Sequence, residues 1–132
     1  MYTWLIPDGS IPPDRGGDIP PHEAICFVNP TTQNAEVRLD VYFVDREPIR
    51  DVHLVVPAER SAHLALGEPF GPGGAYEHYG IGVSIPAATP FSLRVRSEVK
   101  LGCQYTRVQS SKSGTALMST YIPALRESGE EA

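Results

Sequence analysis

Apolar and polar residues alternate along most of this chain. In the segment 36–43 every second residue is apolar, which places Val37, Leu39 and Val41 on one face of a half-buried strand. The same period of two recurs in four further segments: 52–56, 62–66, 91–95 and 101–105. Alternation of this kind is typical of antiparallel strands with one face on the core and one facing solvent.

Shorter apolar segments complete the predicted sheets. Weaker strands are expected at 4–6, 23–29, 81–85 and 116–122. The run 24–28 is apolar at consecutive positions, so we expect both of its faces to be covered. Eight or nine short strands separated by proline-containing turns predict an all-β fold, an antiparallel β-sandwich of jelly-roll type. We expect a single domain over residues 1–124, followed by a polar, frayed tail at 125–132.

Composition supports this fold class. The chain has 132 residues, including 13 prolines and 12 glycines, which argues against a helical bundle because both residues break helices. Two long segments, 7–21 and 67–80, are rich in both. Long loops on a rigid sandwich are frequent places for binding sites, although they can also be plain surface connections.

Net charge, targeting signals and the two cysteines limit the classes of partner and the cellular compartment that we expect. The net charge of −5 argues against a general binder of nucleic acid or of anionic membranes. We find no signal peptide and no apolar run long enough to span a bilayer, so we expect a soluble, cytoplasmic protein. Cys26 and Cys103 both lie in predicted strands. We expect two buried free thiols in a reducing compartment, although a disulfide between them is conceivable.

Catalytic and metal-binding motifs are weak in this sequence. The four histidines are scattered, without the H-x-H pair of a cupin-type metal site, and alternation places His53 and His63 on outer faces. The sequence has no G-x-S-x-G nucleophile motif and no Walker-type phosphate loop. We therefore predict no metal, no cofactor and no catalytic set.

A local basic surface is a stronger signal in this sequence than the catalytic and metal-binding motifs. Arg94, Arg96 and Lys100 lie close together in the sequence, and Arg38 and Arg60 approach them in some sheet arrangements. Arg107 is a further candidate. Such a cluster suits a carboxylate, a phosphate or an acidic partner surface. In the alternative interpretation, acidic residues on neighbouring strands pair with these cations: Glu36, Asp40, Glu59 and Glu98.

Six local strings resemble the sensory rhodopsin transducer family. In chain order they are IPP, HEAICFVNP, VYFVDREPI, VPAERSAHL, QYTR and ALMSTY. They extend over nearly the whole chain, from about Ile11 to Tyr121, and are specific as an ordered set. The resemblance implies a cytoplasmic jelly-roll sandwich that assembles as a homotetramer. It also implies a membrane photoreceptor, or another receptor, as partner. A sugar-like ligand and DNA have both been suggested for the family, and the acidic charge makes nucleic acid the least favoured partner here.

Polar residues in the matched strings are candidates for a ligand pocket. They are His22, Glu23, Arg60, His63, Gln104 and Arg107. The leading hypothesis is a signal-transducer-like binding module without catalysis. It recognises a receptor's cytoplasmic face or a small molecule, and Arg94, Arg96 and Lys100 are its partner contacts. The alternative is an enzyme or binder acting on a sugar-like metabolite, with His22, Glu23 and His63 as its acid–base or metal groups.

Overall fold

The structure, a computed structural model, describes residues 1–13, 15–17, 22–66, 81, 83 and 85–126. Within these residues the chain forms nine β-strands. They are β1 (Tyr2–Gly9), β2 (His22–Asn29), β3 (Ala35–Phe43), β4 (Ile49–Val56), β5 (Arg60–Leu66), β6 (Phe91–Ser97), β7 (Gly102–Ser111), β8 (Gly114–Tyr121) and β9 (Leu125–Arg126). No helix in this described part is long and apolar enough to cross a membrane.

The strands form two antiparallel sheets. Sheet A has the order β4-β3-β6-β1-β9, and sheet B has the order β5-β2-β7-β8. Among the described strands, β3–β4 and β7–β8 are hairpins, and the other consecutive strands lie in opposite sheets. This alternation between sheets is the type of connection found in jelly rolls. The predicted antiparallel β-sandwich with eight or nine strands is therefore confirmed.

Alternate residues of both sheets point into one core. Val37, Leu39 and Val41 of β3 are fully buried, as the period of two predicts. Ile25 and Phe27 of β2 in sheet B belong to the same buried cluster. Burial of each such side chain contributes about 1.5–3 kcal/mol, so closing the two sheets on each other provides most of the driving force for folding.

The strand predicted at 81–85 is wrong. Ile81 and Ile85 are buried in the core, but neither they nor Val83 belong to a strand, and residues 82 and 84 lie outside the described part. An irregular segment that inserts isolated isoleucines into a core has the same apolar spacing as a strand. Residues 67–80 also lie outside the described part, and residues 7–21 are described only in part.

The chain stays ordered past the boundary predicted at residue 124. Leu125 and Arg126 form β9 and pair with Thr3 and Tyr2 at the edge of sheet A. Two residues of the predicted frayed tail are therefore in a strand, because the edge of β1 offers them backbone partners. Residues 127–132 lie outside the described part.

The two cysteines are free thiols on opposite faces of sheet B. In the β2–β7 register, Cys26 is opposite Gln104 and Cys103 is opposite Phe27, so the cysteine side chains point to opposite sides. Burial raises the pKa of the Cys26 thiol, and it raises the pKa of Cys103 to about 12. Their placement on opposite faces excludes a disulfide between them within one chain.

Candidate functional site

The outer face of sheet A carries a row of arginines that we call the cationic ladder: Arg38, Arg94 and Arg96. Arg38 is opposite Arg96, and Asp40 is opposite Arg94, in the β3–β6 register. The inward residues between them are apolar, so alternation turns these charges outward. An Nη2 of Arg96 lies 3.4 Å from Asp40 Oδ2, and Nη1 of Arg38 lies 3.7 Å from Asp51 Oδ2.

Asp40 links this ladder to an irregularity in the sheet. Although it is in an outward position, it is only 5% exposed. Its carboxylate accepts a hydrogen bond from the backbone N–H of Asp51 at 2.8 Å and from the Tyr42 hydroxyl at 3.3 Å. Asp51 has a φ of 61°, in the left-handed region, where the β3–β4 register shifts. Asp40 therefore stabilises the bulge and partly neutralises Arg96.

Two other acidic residues considered as partners, Glu36 and Glu98, line one surface cavity with Arg38 and Arg96 but contact other groups. Glu36 contacts His53, and Glu98 lies 3.4 Å from the N-terminal amine. Lys100 is exposed in the connection that follows β6, at the end of the strand nearest Arg96. The structure thus places Arg94 and Arg96 on the outer face of sheet A, with Asp40 pairing Arg96, and Lys100 in the connection between the two sheets.

A second polar cluster lies between the two sheets, centred on Glu23. Its side chain is fully buried, at an inward position beside Ile25. Each carboxylate oxygen accepts from the backbone N–H of Ser10, at 3.1 and 3.0 Å. One oxygen also accepts from the Tyr105 hydroxyl, and the other accepts from Nε of Arg107 at 2.7 Å. The buried carboxylate is therefore surrounded by donors, as a buried charge requires.

Tyr105 and Arg107 keep fixed protonation states in this cluster. Burial and the neighbouring Glu23 carboxylate raise the pKa of Tyr105 far above its usual value, so the hydroxyl stays a donor. Burial alone would lower the pKa of Arg107, but the hydrogen bond and charge of Glu23 outweigh this and raise it. The arginine therefore stays charged.

The outer face of sheet B carries a separate shallow cavity of about 350 Å³. Its lining includes His22, His63 and Gln104, together with Cys26 and Thr106. These residues are neighbours because Cys26 is opposite His63 on one side and Gln104 on the other. The predicted outward position of His63 is thus observed.

The six candidate ligand residues do not form one pocket. His22, His63 and Gln104 line the outer cavity, whereas Glu23 and Arg107 point between the sheets. Arg60 is opposite Asn29, at the other end of β2 from His22, about 20 Å away along the strand. The acid–base set of His22, Glu23 and His63 is divided between two faces, because His22 and Glu23 are consecutive residues of one strand.

Metal binding finds no support in the described part of the chain. Among those residues, no three His, Cys, Asp or Glu side chains lie close enough together to hold a metal ion. His53, predicted on an outer face, is exposed and contacts Glu36.

Sequence reasoning missed two members of the Glu23 cluster, Ser10 and Tyr105, and it missed the burial of Asp40. Tyr105 reads as an ordinary inward aromatic residue, and Asp40 as an outward charge that pairs with an arginine. The sequence contains one signal of the Glu23 cluster. Glu23 lies on the same side of its strand as Ile25 and Phe27, so its side chain must point inward. A buried carboxylate needs donors, which directs attention to the inward residues of neighbouring strands.

Comparisons with known proteins identify the family. Residues 1–122 match the family profile of the Anabaena sensory rhodopsin transducer, so the chain belongs to this family. A comparison with curated proteins gave no significant match.

Two solved structures support this assignment. A Thermotoga maritima protein, number 1070, is 26% identical with a TM-score of 0.75, covering 92% of each chain. The Anabaena sensory rhodopsin transducer is 30% identical with a TM-score of 0.60, covering 79% of this chain and 91% of that one. The predicted membership of the sensory rhodopsin transducer family is confirmed, and the family suggests a transducer-like, non-enzymatic role.

Proposed function

We propose that this protein is a cytoplasmic, non-catalytic transducer module that docks on the cytoplasmic face of a membrane receptor of the sensory rhodopsin kind. The observation that carries the proposal is the cationic ladder on the outer face of sheet A, in a protein whose net charge is −5. Arginines held on one rigid face give an acidic protein groups that can pair with the exposed acidic groups of a partner. Family membership supports the class of receptor.

The mechanism requires differential contact. A transducer reports a change in its receptor only if it binds one state of the receptor more tightly than the other. The ladder suits this role because Arg94 and Arg96 lie in β6, in the middle of sheet A, where neighbouring strands hold the backbone on both sides. Rigid charges sense a rearrangement of the partner's acidic groups better than charges on a mobile loop.

Assembly as a homotetramer is part of the same proposal. The described strand residues that face outward from sheet B include no Asp, Glu, Lys or Arg, and they include the exposed apolar residues Val28, Leu117 and Tyr121. The run 24–28, expected to be covered on both faces, is only half covered on this face within one chain: Ala24 and Cys26 are half-buried and Val28 is exposed. Depletion of charge with exposed apolar and aromatic residues is characteristic of interface cores.

Binding to a reconstituted receptor tests the docking proposal. We would measure the affinity for the Anabaena sensory rhodopsin in lipid nanodiscs, with the Anabaena transducer as the positive control. The test variant is Arg94→Gln with Lys100→Gln, which leaves Arg96 to neutralise Asp40. The matched control is Arg60→Gln with Lys112→Gln, which removes the same two charges from exposed positions in β5 and in the β7–β8 turn of sheet B.

We expect the test variant to bind about fivefold to tenfold more weakly at low salt, with a smaller difference at high salt. The control pair should change the affinity less than twofold. Equal weakening in both variants would show that only net charge matters, which contradicts docking through the ladder. If the positive control binds and this protein does not, the receptor proposal itself is wrong.

The enzyme alternative is not favoured by the geometry. Its proposed group Glu23 is fully buried between the sheets, whereas His22 and His63 line the outer cavity. No substrate in that cavity contacts all three side chains.

A further inference from the structure

A cleft opens at the edge of the sandwich between β1 of sheet A and the inner face of β8 of sheet B. Its volume is about 430 Å³, within the range of small-molecule pockets. Asp8 and Pro7 lie on the β1 side, and Tyr105 and Arg107 are contributed by β7. It is distinct from the cationic ladder, which is on the outer face of sheet A.

Apolar side chains form most of the cleft's walls. Ile6 and Ile122 are buried members of the core that line it, and Met118 of β8 lines it while remaining 54% exposed. An exposed methionine is costly to hydrate and adapts its shape to an apolar partner. Ser119 and Thr120 are additional polar residues of β8 in the lining. These walls fit a ligand with a small apolar body.

Arg107 supplies the polar end of the cleft and is held rigidly. Its Nε donates to Glu23 at 2.7 Å, and Glu23 is in turn held by Ser10 and Tyr105. This bond fixes the guanidinium plane, and the side chain stays 18% exposed. Within the described residues, the structure records no hydrogen bond from the two terminal nitrogens of Arg107. A fixed guanidinium with available terminal N–H groups binds a carboxylate through two parallel hydrogen bonds.

Asp8 occupies the mouth of the cleft beside this guanidinium. Its Oδ1 is 3.9 Å from Nη2 of Arg107, which is a charge contact and too long for a hydrogen bond. The Asp8 side chain is 86% exposed, so it moves aside without disturbing the core. The Asp8 carboxylate thus marks where the carboxylate of a ligand would bind, and its negative charge weakens that binding.

We propose that this cleft binds a small organic monocarboxylate, whose carboxylate pairs with the terminal nitrogens of Arg107 and whose apolar body lies against Ile6, Met118 and Ile122. A single negative charge fits better than a phosphate dianion, because Glu23 and Asp8 already place two carboxylates around one arginine. The inference goes beyond receptor docking and does not depend on it.

The test uses matched probes of one shape. Binding of benzoate, benzamide and benzylamine would be measured by ligand-observed NMR and by calorimetry at pH 7. We expect benzoate to bind at least fivefold more tightly than benzamide, and benzylamine to bind most weakly. Equal affinities for benzoate and benzamide, tighter binding of benzylamine, or no benzoate binding at 20 mM would each overturn the proposal.

Two substitutions locate the site. Asp8→Asn removes the opposing charge at an exposed position, so it should fold normally and bind benzoate about threefold to tenfold more tightly. Arg107→Lys keeps a positive charge for Glu23 but removes the planar pair of donors, so benzoate affinity should fall about tenfold or more. The control Arg60→Gln lies at the far end of sheet B and should leave the affinity unchanged. Unchanged benzoate affinity in Asp8→Asn would contradict the assignment, even if Arg107→Lys fails to fold.

Discussion

At the scale of single residues, the inward face of β7 carries two groups that stay neutral over a wide pH range. Cys103 and Tyr105 both point into the core, and burial raises the pKa of each. The folded state therefore keeps its protons at a pH where the unfolded chain releases them. Stability from these groups is complete below the pKa of the unfolded chain and falls as the pH rises above it.

The raised pKa of Cys103 predicts that the folded protein loses stability at alkaline pH. Its pKa is raised from 9.0 to about 12, so each pH unit between these values removes up to about 1.4 kcal/mol of unfolding free energy. Urea unfolding at pH 8, 9.5 and 10.5 measures the effect. Cys103→Ala should be less stable than wild type at pH 8 because it leaves a small cavity, but it should lose less stability on going to pH 10.5.

Cys26→Ala is the matched control for this prediction. Cys26 is only half-buried on the outer face, and the rise in its pKa is the smaller of the two. Its removal should flatten the pH dependence less than removal of Cys103. If the stability of wild type and of Cys103→Ala changes in parallel with pH, the pKa of Cys103 does not differ between the folded and unfolded states. That result would contradict the prediction.

At the scale of strands, alternation in the sequence predicts which side of each strand faces the core. Val37, Leu39 and Val41 of β3 are buried as expected, because parity within one strand is a local property. The bulge at Asp51 is not local, since its left-handed backbone depends on an acceptor from β3. The sequence therefore predicted Asp40 only as an outward partner of the arginines, and its burial could not be predicted.

The β3–β4 bulge makes Asp40 a testable stabilising residue. Asp40→Ala leaves the Asp51 N–H without its acceptor and Arg96 without its counter-charge, so we expect a loss of about 2–4 kcal/mol in unfolding free energy. Asp40→Asn keeps an acceptor oxygen and should lose only about half as much. Chemical denaturation measures both. Glu36→Ala removes an exposed partner of His53 and should cost less than about 0.5 kcal/mol; a similarly small loss for Asp40→Ala would refute the proposed role.

At the scale of the whole molecule, the two outer faces differ in chemistry. The outer face of sheet A carries charges of both signs, the cationic ladder with Glu36, Asp40 and Asp51, whereas the described strand residues on the outer face of sheet B carry no Asp, Glu, Lys or Arg. The sequence predicted the sandwich but not this division, because strand order decides which outward residues share a sheet. The predicted pocket also joined His63 and Arg107, although alternation within each strand places His63 outward and Arg107, which has the parity of Tyr105, inward.

This division predicts that self-association uses the outer face of sheet B. Val28 lies on this face near the end of β2, 48% exposed, opposite Gly102, which has no side chain to cover it. The substitution Val28→Glu would bury a charge in any interface formed there, at a cost of several kcal/mol per contact. The matched control is Val44→Glu, because Val44 is 87% exposed in the β3–β4 turn, away from this face.

Light scattering with size exclusion measures the outcome as molar mass. We expect wild type and Val44→Glu to have about four times the 14.4 kDa mass of one chain, and Val28→Glu to have a smaller mass with an unchanged circular dichroism spectrum. A wild type that is monomeric at micromolar concentration would exclude the homotetramer. A Val28→Glu variant that stays tetrameric would move the interface off sheet B, most directly onto the cationic ladder's face, where it would compete with the receptor for the same surface.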